Sequence, residues 1–218
     1  MADFDRESIS QMRKSYGEKG LAESDAGGDP IELFLSWLSD AAQNPLIVEA
    51  NAMVLSTIHD QSPISRTVLL KDITTQGLTF FTNYSSRKGR DIESNPEVSL
   101  LFPWYAMERQ VIITGRAIRV SAEESDKYFA SRPWSSQIGA WASEQSQSLD
   151  SRQTLEKRWA EYSTRYPEGS EVPRPVHWGG YRVTPHTFEF WQGRYSRLHD
   201  RIRYSTISHG WEIERLFP

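Results

Sequence analysis

The 218-residue chain has no cysteine, which excludes disulfides and thiolate-held metals. It has no apolar run near the roughly 20 residues that cross a bilayer as a helix, so no membrane association is expected. Its first ten residues, MADFDRESIS, are acidic and polar rather than signal-like. A cytoplasmic location is the expectation. The P-loop pattern, the dinucleotide fingerprint G-x-G-x-x-G and the G-x-S-x-G elbow are all missing. The five histidines never fall at ligand spacing, so no metal is expected. A formal net charge of -4 offers no broad basic face for nucleic acid.

What is present is local. Of the twenty-five Lys and Arg, several gather in short clusters inside apolar strands, a pattern suited to small anionic ligands, phosphates above all. Aromatics make up 12% of the chain and include eight Trp, enough to stack on a planar ring or to fill a core.

Residues 1–28 are polar and close on Gly27-Gly28, and read as a mobile N-terminal arm with a short helix around Ile9–Tyr16. Residues 29–218 read as a single domain. Asp29-Pro30 starts a helix whose stripe is Ile31, Phe34, Leu35 and Leu38. Strands are expected at Ala52–Ile58, Ile64–Lys71, Leu78–Thr82, Val98–Trp104, Gln110–Val120, His177–Val183, Thr187–Trp191, Arg201–Ile207 and Trp211–Arg215. Helices are expected after Ser85, after the Ser121/Glu124 capping box, over Ser135–Ala142 and over Ser151–Tyr166. Short antiparallel strands with peripheral helices describe a small β-barrel of the α+β class, and the order lacks the strand–helix alternation of a Rossmann domain.

Four clusters carry candidate chemistry. In Trp191–Arg201, strand alternation would put Arg197, His199 and Arg201 on one face: two cations flanking a group that titrates near neutrality. Directed into a pocket, that row binds a planar anion; at a solvated edge it means little. Arg66 and Lys71 bracket RTVLLK, and their odd spacing sends them to opposite faces of a regular strand. Thr82 to Lys88 converges hydroxyls and two cations on a helix start, where free N–H groups favour phosphate. Tyr128 and Arg132 lie one helical turn apart, and Ser136 opens the next helix, so the three can share one phosphate.

Taken together, RTVLLK (66–71), FFTNYSSRK (80–88), NPEVSLLFPW (95–104), ERQV (108–111), YFASRP (128–133), SQIGAW (136–141), WQG (191–193) and RLHDR (197–201) resemble the pyridoxine 5'-phosphate oxidases, an FMN-dependent family that makes pyridoxal 5'-phosphate. The resemblance runs through nearly the whole chain. It implies a homodimer of FMN-binding, mostly antiparallel split β-barrels with active sites at the subunit interface. It implies FMN contacts at Arg66, Thr67, Val68, Leu69, Leu70, Lys71, Phe81, Thr82, Arg87, Lys88, Gln110, Gln145, Ser146, Trp191 and Arg201. The substrate phosphate is implied at Lys71, Tyr128, Arg132 and Ser136, and Arg197 and His199 would be the catalytic pair at the pyridine ring. Arg13 and Tyr16 match a segment that closes over the substrate. The implied reaction oxidises pyridoxine 5'-phosphate and pyridoxamine 5'-phosphate with O2, releasing H2O2, and ammonia from the amine. The alternative is a related split-barrel flavin protein without oxidase activity, against which YFASRP and RLHDR argue.

Overall fold

The structure, a computed structural model, describes residues 15–218. Its residues fall into two compact units. The larger is Asn51–Phe102 with Ile112–Thr187; the smaller joins the segment ending at Ala50 to Pro103–Val111 and Phe188–Pro218.

The larger unit is built on alternation. In β1 (Ala52–His59), Met53, Leu55 and Thr57 are buried in turn. It pairs antiparallel with β2 (Ser62–Leu69) from Ala52↔Leu69 to His59↔Ser62. Between them Asp60 and Gln61 both take positive φ, 46° and 65°, the backbone of a two-residue hairpin turn. The short β3 (Asp72–Thr74), absent from the sequence expectation, pairs with β4 (Gly77–Asn83). β4 is buried almost throughout. With β5 (Glu97–Trp104), β6 (Arg109–Arg119) and β7 (Trp178–Gln192), the strand order is β2-β1-β5-β6-β7-β4-β3. The registers of β1 with β2 and β5, and of β4 with β3 and β7, are all antiparallel.

One expectation needs correcting here. The two strands foreseen around Pro185 are a single 15-residue β7. Proline removes a donor, but the strand continues because its neighbour yields space. A Cβ at Gly115 of β6 would lie 2.3 Å from the Thr184 carbonyl oxygen.

Helix signals hold closely. Ser121 and Glu124 form the reciprocal capping box of α4 (Ala122–Ala130), which stops before Pro133. α5 (Trp134–Ala142) and α6 (Arg152–Arg165) follow. Phe129, Ile138, Val172 and Trp178 form a core beside them, flanked by Phe81, Tyr128 and Trp141. α3 (Arg87–Ser94) starts at Ser86, whose hydroxyl accepts from the Gly89 N–H at 3.3 Å.

In the smaller unit, the Asp29 carboxylate accepts from the Ile31 N–H and Pro30 opens α2 (Pro30–Gln43). Phe34 and Trp37 of that helix pack on Phe188 and Phe190. β8 (Asp200–Ile207) pairs with β7 and with β9 (Gly210–Arg215). The expected arm contains α1 (Glu23–Ala26), with Leu21 and Ala26 buried. The helix foreseen at Ile9–Tyr16 lies almost wholly outside the described residues, as does Arg13. No helix among the described residues is long and apolar enough to cross a membrane.

Candidate active site

A cavity of about 660 Å³ opens in the larger unit. The end of β2 supplies Thr67, Val68 and Leu69, with Lys71 just past it; β4 supplies Phe81 and Thr82. Lys88 comes from α3, Tyr128 from α4, Ser136 from α5, and Arg132 and Gln145 from the connections. Eleven of the residues expected from the sequence thus share one lining.

None of the three cations there, Lys71, Lys88 and Arg132, meets a carboxylate within ion-pair distance among the described residues. Lys88, 8% exposed, places Nζ 3.0 Å from Gln145 Oε1 and 3.2 Å from Thr82 Oγ1. Burial, reinforced by the nearby Arg66 charge, lowers its pKa to about 8. Arg132 stacks its guanidinium 4.6 Å over Trp178, and its Nη1 is buried without a hydrogen-bond partner among the described residues. Burial pulls its pKa down as well. An unpaired buried donor is costly, and one lining a cavity is poised for an anion.

The same lining carries a flat apolar wall. Phe81 and Tyr128 stack at 3.9 Å between ring centroids, and Trp178 lies 5.5 Å from Phe81 with nearly parallel planes. Cations, hydroxyls and stacked rings together suit phosphorylated, planar molecules.

Other expected positions do not line this cavity. Arg66 turns back to donate to Thr57 Oγ1 at 2.7 Å and to Asp91 Oδ2 at 3.5 Å, whereas Lys71 stands beyond the end of β2 and lines the cavity. Leu70 is buried, whereas Arg87 and Ser146 are exposed, Ser146 with φ 71°. The sequence reading missed Asn83, Ser131, Pro133, Gly139, Ala140, Ser143 and Trp178. No spacing rule flags these, because they arrive from β4, α5, β7 and the connections beside α5, which only the fold brings together.

The smaller unit holds Gln110, Trp191, Arg197, His199 and Arg201. Here the strand expectation fails. Tyr195–Arg197 is a single 3₁₀ turn, Ser196 and Arg197 take φ 55° and 63°, and the strand begins only at Asp200. Arg197 and His199 therefore stand on a loop, and alternation does not place them with Arg201. Arg197 is exposed. Arg201 is held by Glu189 at 2.6 Å and donates to the Phe217 carbonyl at 3.0 Å.

His199 is oriented tightly. The Arg194 N–H donates to its Nδ1 at 3.0 Å, so a neutral ring carries its proton on Nε2. Its ring lies 4.6 Å from Trp191 and 5.5 Å from Tyr16. Asp200 ties the surroundings together, accepting from the Leu21 N–H at 3.0 Å, Arg194 Nη1 at 3.3 Å and Arg215 Nη1 at 2.6 Å. These bonds hold its pKa below the ordinary value despite burial.

The fold is that of the flavin-binding split-barrel class, and comparison with known proteins agrees. The family profile described as pyridoxamine 5'-phosphate oxidase matches residues 39–166, and that of the pyridoxine 5'-phosphate oxidase C-terminal dimerisation region matches 178–218. The chain is 52% identical to a pyridoxine/pyridoxamine 5'-phosphate oxidase of Burkholderia multivorans, covering 96% of this chain and 99% of that one. It is 51% identical to the enzyme so named in Rubrobacter xylanophilus, over the full length of both. Among solved structures it is similar to PhzG from Burkholderia lata 383, in complex with tetrahydrophenazine-1-carboxylic acid. That similarity has a TM-score of 0.85 at 31% identity, over 93% of this chain and 100% of that one. A pyridoxamine 5'-phosphate oxidase-related, FMN binding protein from Nostoc punctiforme shares the fold at TM-score 0.69 and 14% identity, over 92% and 100%. The chain belongs to the pyridoxine/pyridoxamine 5'-phosphate oxidase family and is an enzyme of that family.

Proposed function

We propose that the protein is a cytoplasmic FMN-dependent oxidase that converts pyridoxine 5'-phosphate and pyridoxamine 5'-phosphate to pyridoxal 5'-phosphate. The alcohol and O2 yield the aldehyde and H2O2; the amine, O2 and water yield the aldehyde, ammonia and H2O2. The observation that carries this reading is the pairing of buried Lys88 with Arg132, whose Nη1 is buried, in one cavity with a stacked aromatic wall. Two phosphate esters, one on the cofactor and one on the substrate, account for both.

The residues present fit FMN. Lys88 hydrogen-bonds only to neutral groups among the described residues, Thr82, Ser86 and Gln145, so a phosphate would be its first directly bonded anion. Lys88, Thr82 and Gln145 would hold that phosphate, with Thr67, Val68, Leu69 and Phe81 along the ring system; Arg66, Leu70, Lys71, Arg87, Gln110, Ser146, Trp191 and Arg201 complete the set that the family resemblance implies. When bound, FMN supplies a two-electron acceptor that O2 returns to the oxidised state.

The substrate phosphate is assigned to Lys71, Tyr128, Arg132 and Ser136, with Arg132 Nη1 the donor still open. Such a grip orients the oxidisable carbon and contributes equally before and during the reaction. Arg197 adds a permanent planar cation at the pyridine ring. His199 presents Nε2–H and acts as a donor that positions the ring rather than as the base. Tyr16, edge-on to both Trp191 and His199, excludes water beside them. Homodimerisation is supported by the match of residues 178–218 to a dimerisation region.

The test is anaerobic. Protein loaded with FMN and mixed with pyridoxine 5'-phosphate should lose its yellow absorbance in a single turnover, and air should restore it with one pyridoxal 5'-phosphate formed per flavin. Failure to retain FMN, or retention without bleaching by either phosphate ester, overturns the proposal. The second outcome alone would favour a flavin protein with another substrate.

A further inference from the structure

Thr57 occupies an inward position of β1 where alternation after Met53 and Leu55 calls for an apolar side chain. Its hydroxyl instead donates to Asp91 Oδ2 at 2.8 Å and accepts from Arg66 Nη1 at 2.7 Å. Asp91, 1% exposed, sits on α3 three residues after Lys88. His59 Nδ1 lies 2.8 Å from its other oxygen. A buried carboxylate therefore stands among Arg66, His59 and Lys88, beside a cavity read as a phosphate site.

For anion binding alone this arrangement is contradictory, since the carboxylate repels the phosphate. Its benefit appears when no phosphate is present. α3 opens on Arg87, Lys88 and Arg90 with no acidic residue in the first turn, where the helix dipole disfavours cations. Burial and mutual repulsion act against the charge on Lys88, and the nearby Asp91 charge opposes that loss for both Lys88 and Arg66.

We propose that Asp91 is the resident counterion of the Arg66–Lys88 pair, stabilising the cofactor-free protein and competing with the cofactor's phosphate when it binds. The inference rests on the FMN reading above. Asp91→Asn keeps the volume and an acceptor for Thr57 while deleting the charge. Two consequences oppose each other: the phosphate is no longer repelled, and Lys88 holds its proton less firmly. At pH 7 the first prevails. A phosphate monoester carries about -1.5 to -2 charges, so it feels Asp91 more than a single ammonium does, and Lys88 starts from a pKa of about 8.

Cofactor-free wild-type protein and Asp91→Asn are each titrated at pH 7 with FMN and, separately, with riboflavin, which lacks the phosphate, following flavin fluorescence. The variant should bind FMN on the order of tenfold more tightly. Riboflavin affinity should not change, and the variant's Tm without cofactor should fall by several degrees. FMN affinity that is equal or weaker overturns the inference, as does a matching shift for riboflavin, which marks a merely structural residue. Wild-type protein that binds no FMN removes the underlying reading instead. Should Asp91→Asn not fold, His59→Ala at a half-exposed position gives the opposite sign. It strips a hydrogen bond from Asp91, so FMN alone should bind about twofold more weakly, and unchanged or tighter binding refutes the counterion role.

Discussion

The cavity of the larger unit and the loop of the smaller one treat their cations in opposite ways. In the cavity, buried Lys88 and half-buried Arg132 have no carboxylate within ion-pair distance among the described residues, and the buried Arg132 Nη1 has no hydrogen-bond partner among them. Around the loop, Arg194 and Arg215 meet Asp200, and Arg201 meets Glu189. Paired cations are scaffolding, whereas unpaired buried ones await an anion brought by a ligand. Arg197 belongs to neither group. It is exposed, on left-handed backbone, and it is the residue to which the proposed reading gives the reacting ring.

The sharpest way to break this contrast is Arg197→Ala. A charge placed where electrons move acts on the transition state, so kcat should fall roughly a hundredfold or more. Arg197→Lys should not fully restore it, because an ammonium cannot lie flat against a ring. Anaerobic flavin reduction at the wild-type rate in Arg197→Ala would show the role to be wrong. Arg132→Ala should instead raise KM about ten- to a hundredfold with a smaller change in kcat. Steady-state kinetics with a phosphorylated and a dephosphorylated substrate read it out, and only the phosphorylated one should suffer.

Lys88→Ala should weaken FMN about tenfold, measured by titrating cofactor-free protein. The wild-type pH profile offers a gentler form of the same test. Lys88 in the folded protein has its pKa lowered to about 8 by burial, so it is charged below that pH and neutral above. FMN affinity should be level between about pH 7 and 8, above the second phosphate ionisation, and decline above pH 8. The cofactor-free protein should behave conversely. Between pH 8 and the ordinary lysine value the unfolded chain binds the extra proton, so this group's contribution to stability rises with pH. A profile still flat at pH 9 refutes the assignment.

The smallest effect is expected at the paired end of the comparison. Asp200→Asn leaves Arg194 and Arg215 without that counter-charge and loosens the Leu21 contact. A few-fold rise in KM and faster proteolysis near residues 17–22 should result, with FMN affinity unchanged. Loss of FMN binding would mean that the loop's ion pairs are not mere scaffolding.

Much of this was legible in the chain. Hairpin alternation in β1 and β2, the Asp29-Pro30 start and the Ser121/Glu124 box are local signals that tertiary packing reinforced. The cation clusters at 66–71, 82–88 and 128–136 were visible as clusters, and their hydroxyl neighbours suggested phosphate before any fold was known. The Arg197–Arg201 row misled because period-two alternation assumes extended backbone. Nothing in RYSRLHD announces left-handed residues at Ser196 and Arg197, which are neither Gly nor Asn. Trp178 and Asp91 carry no motif, and only Thr57, a polar residue in a buried position of a strand, hinted at the network behind Arg66.

Local order along the chain follows from short-range physics, in which caps, turns and hydrophobic period each act within a few residues. The sequence alone therefore determined where the elements start and stop and which segments carry charge. The pairing of those charges was decided by tertiary structure. The choice between Arg66 on Asp91, Arg201 on Glu189 and an unpartnered Arg132 depends on residues 12 to 46 positions apart or more. Burial, which raises the cost of every unpaired charge, exists only once the chain has folded.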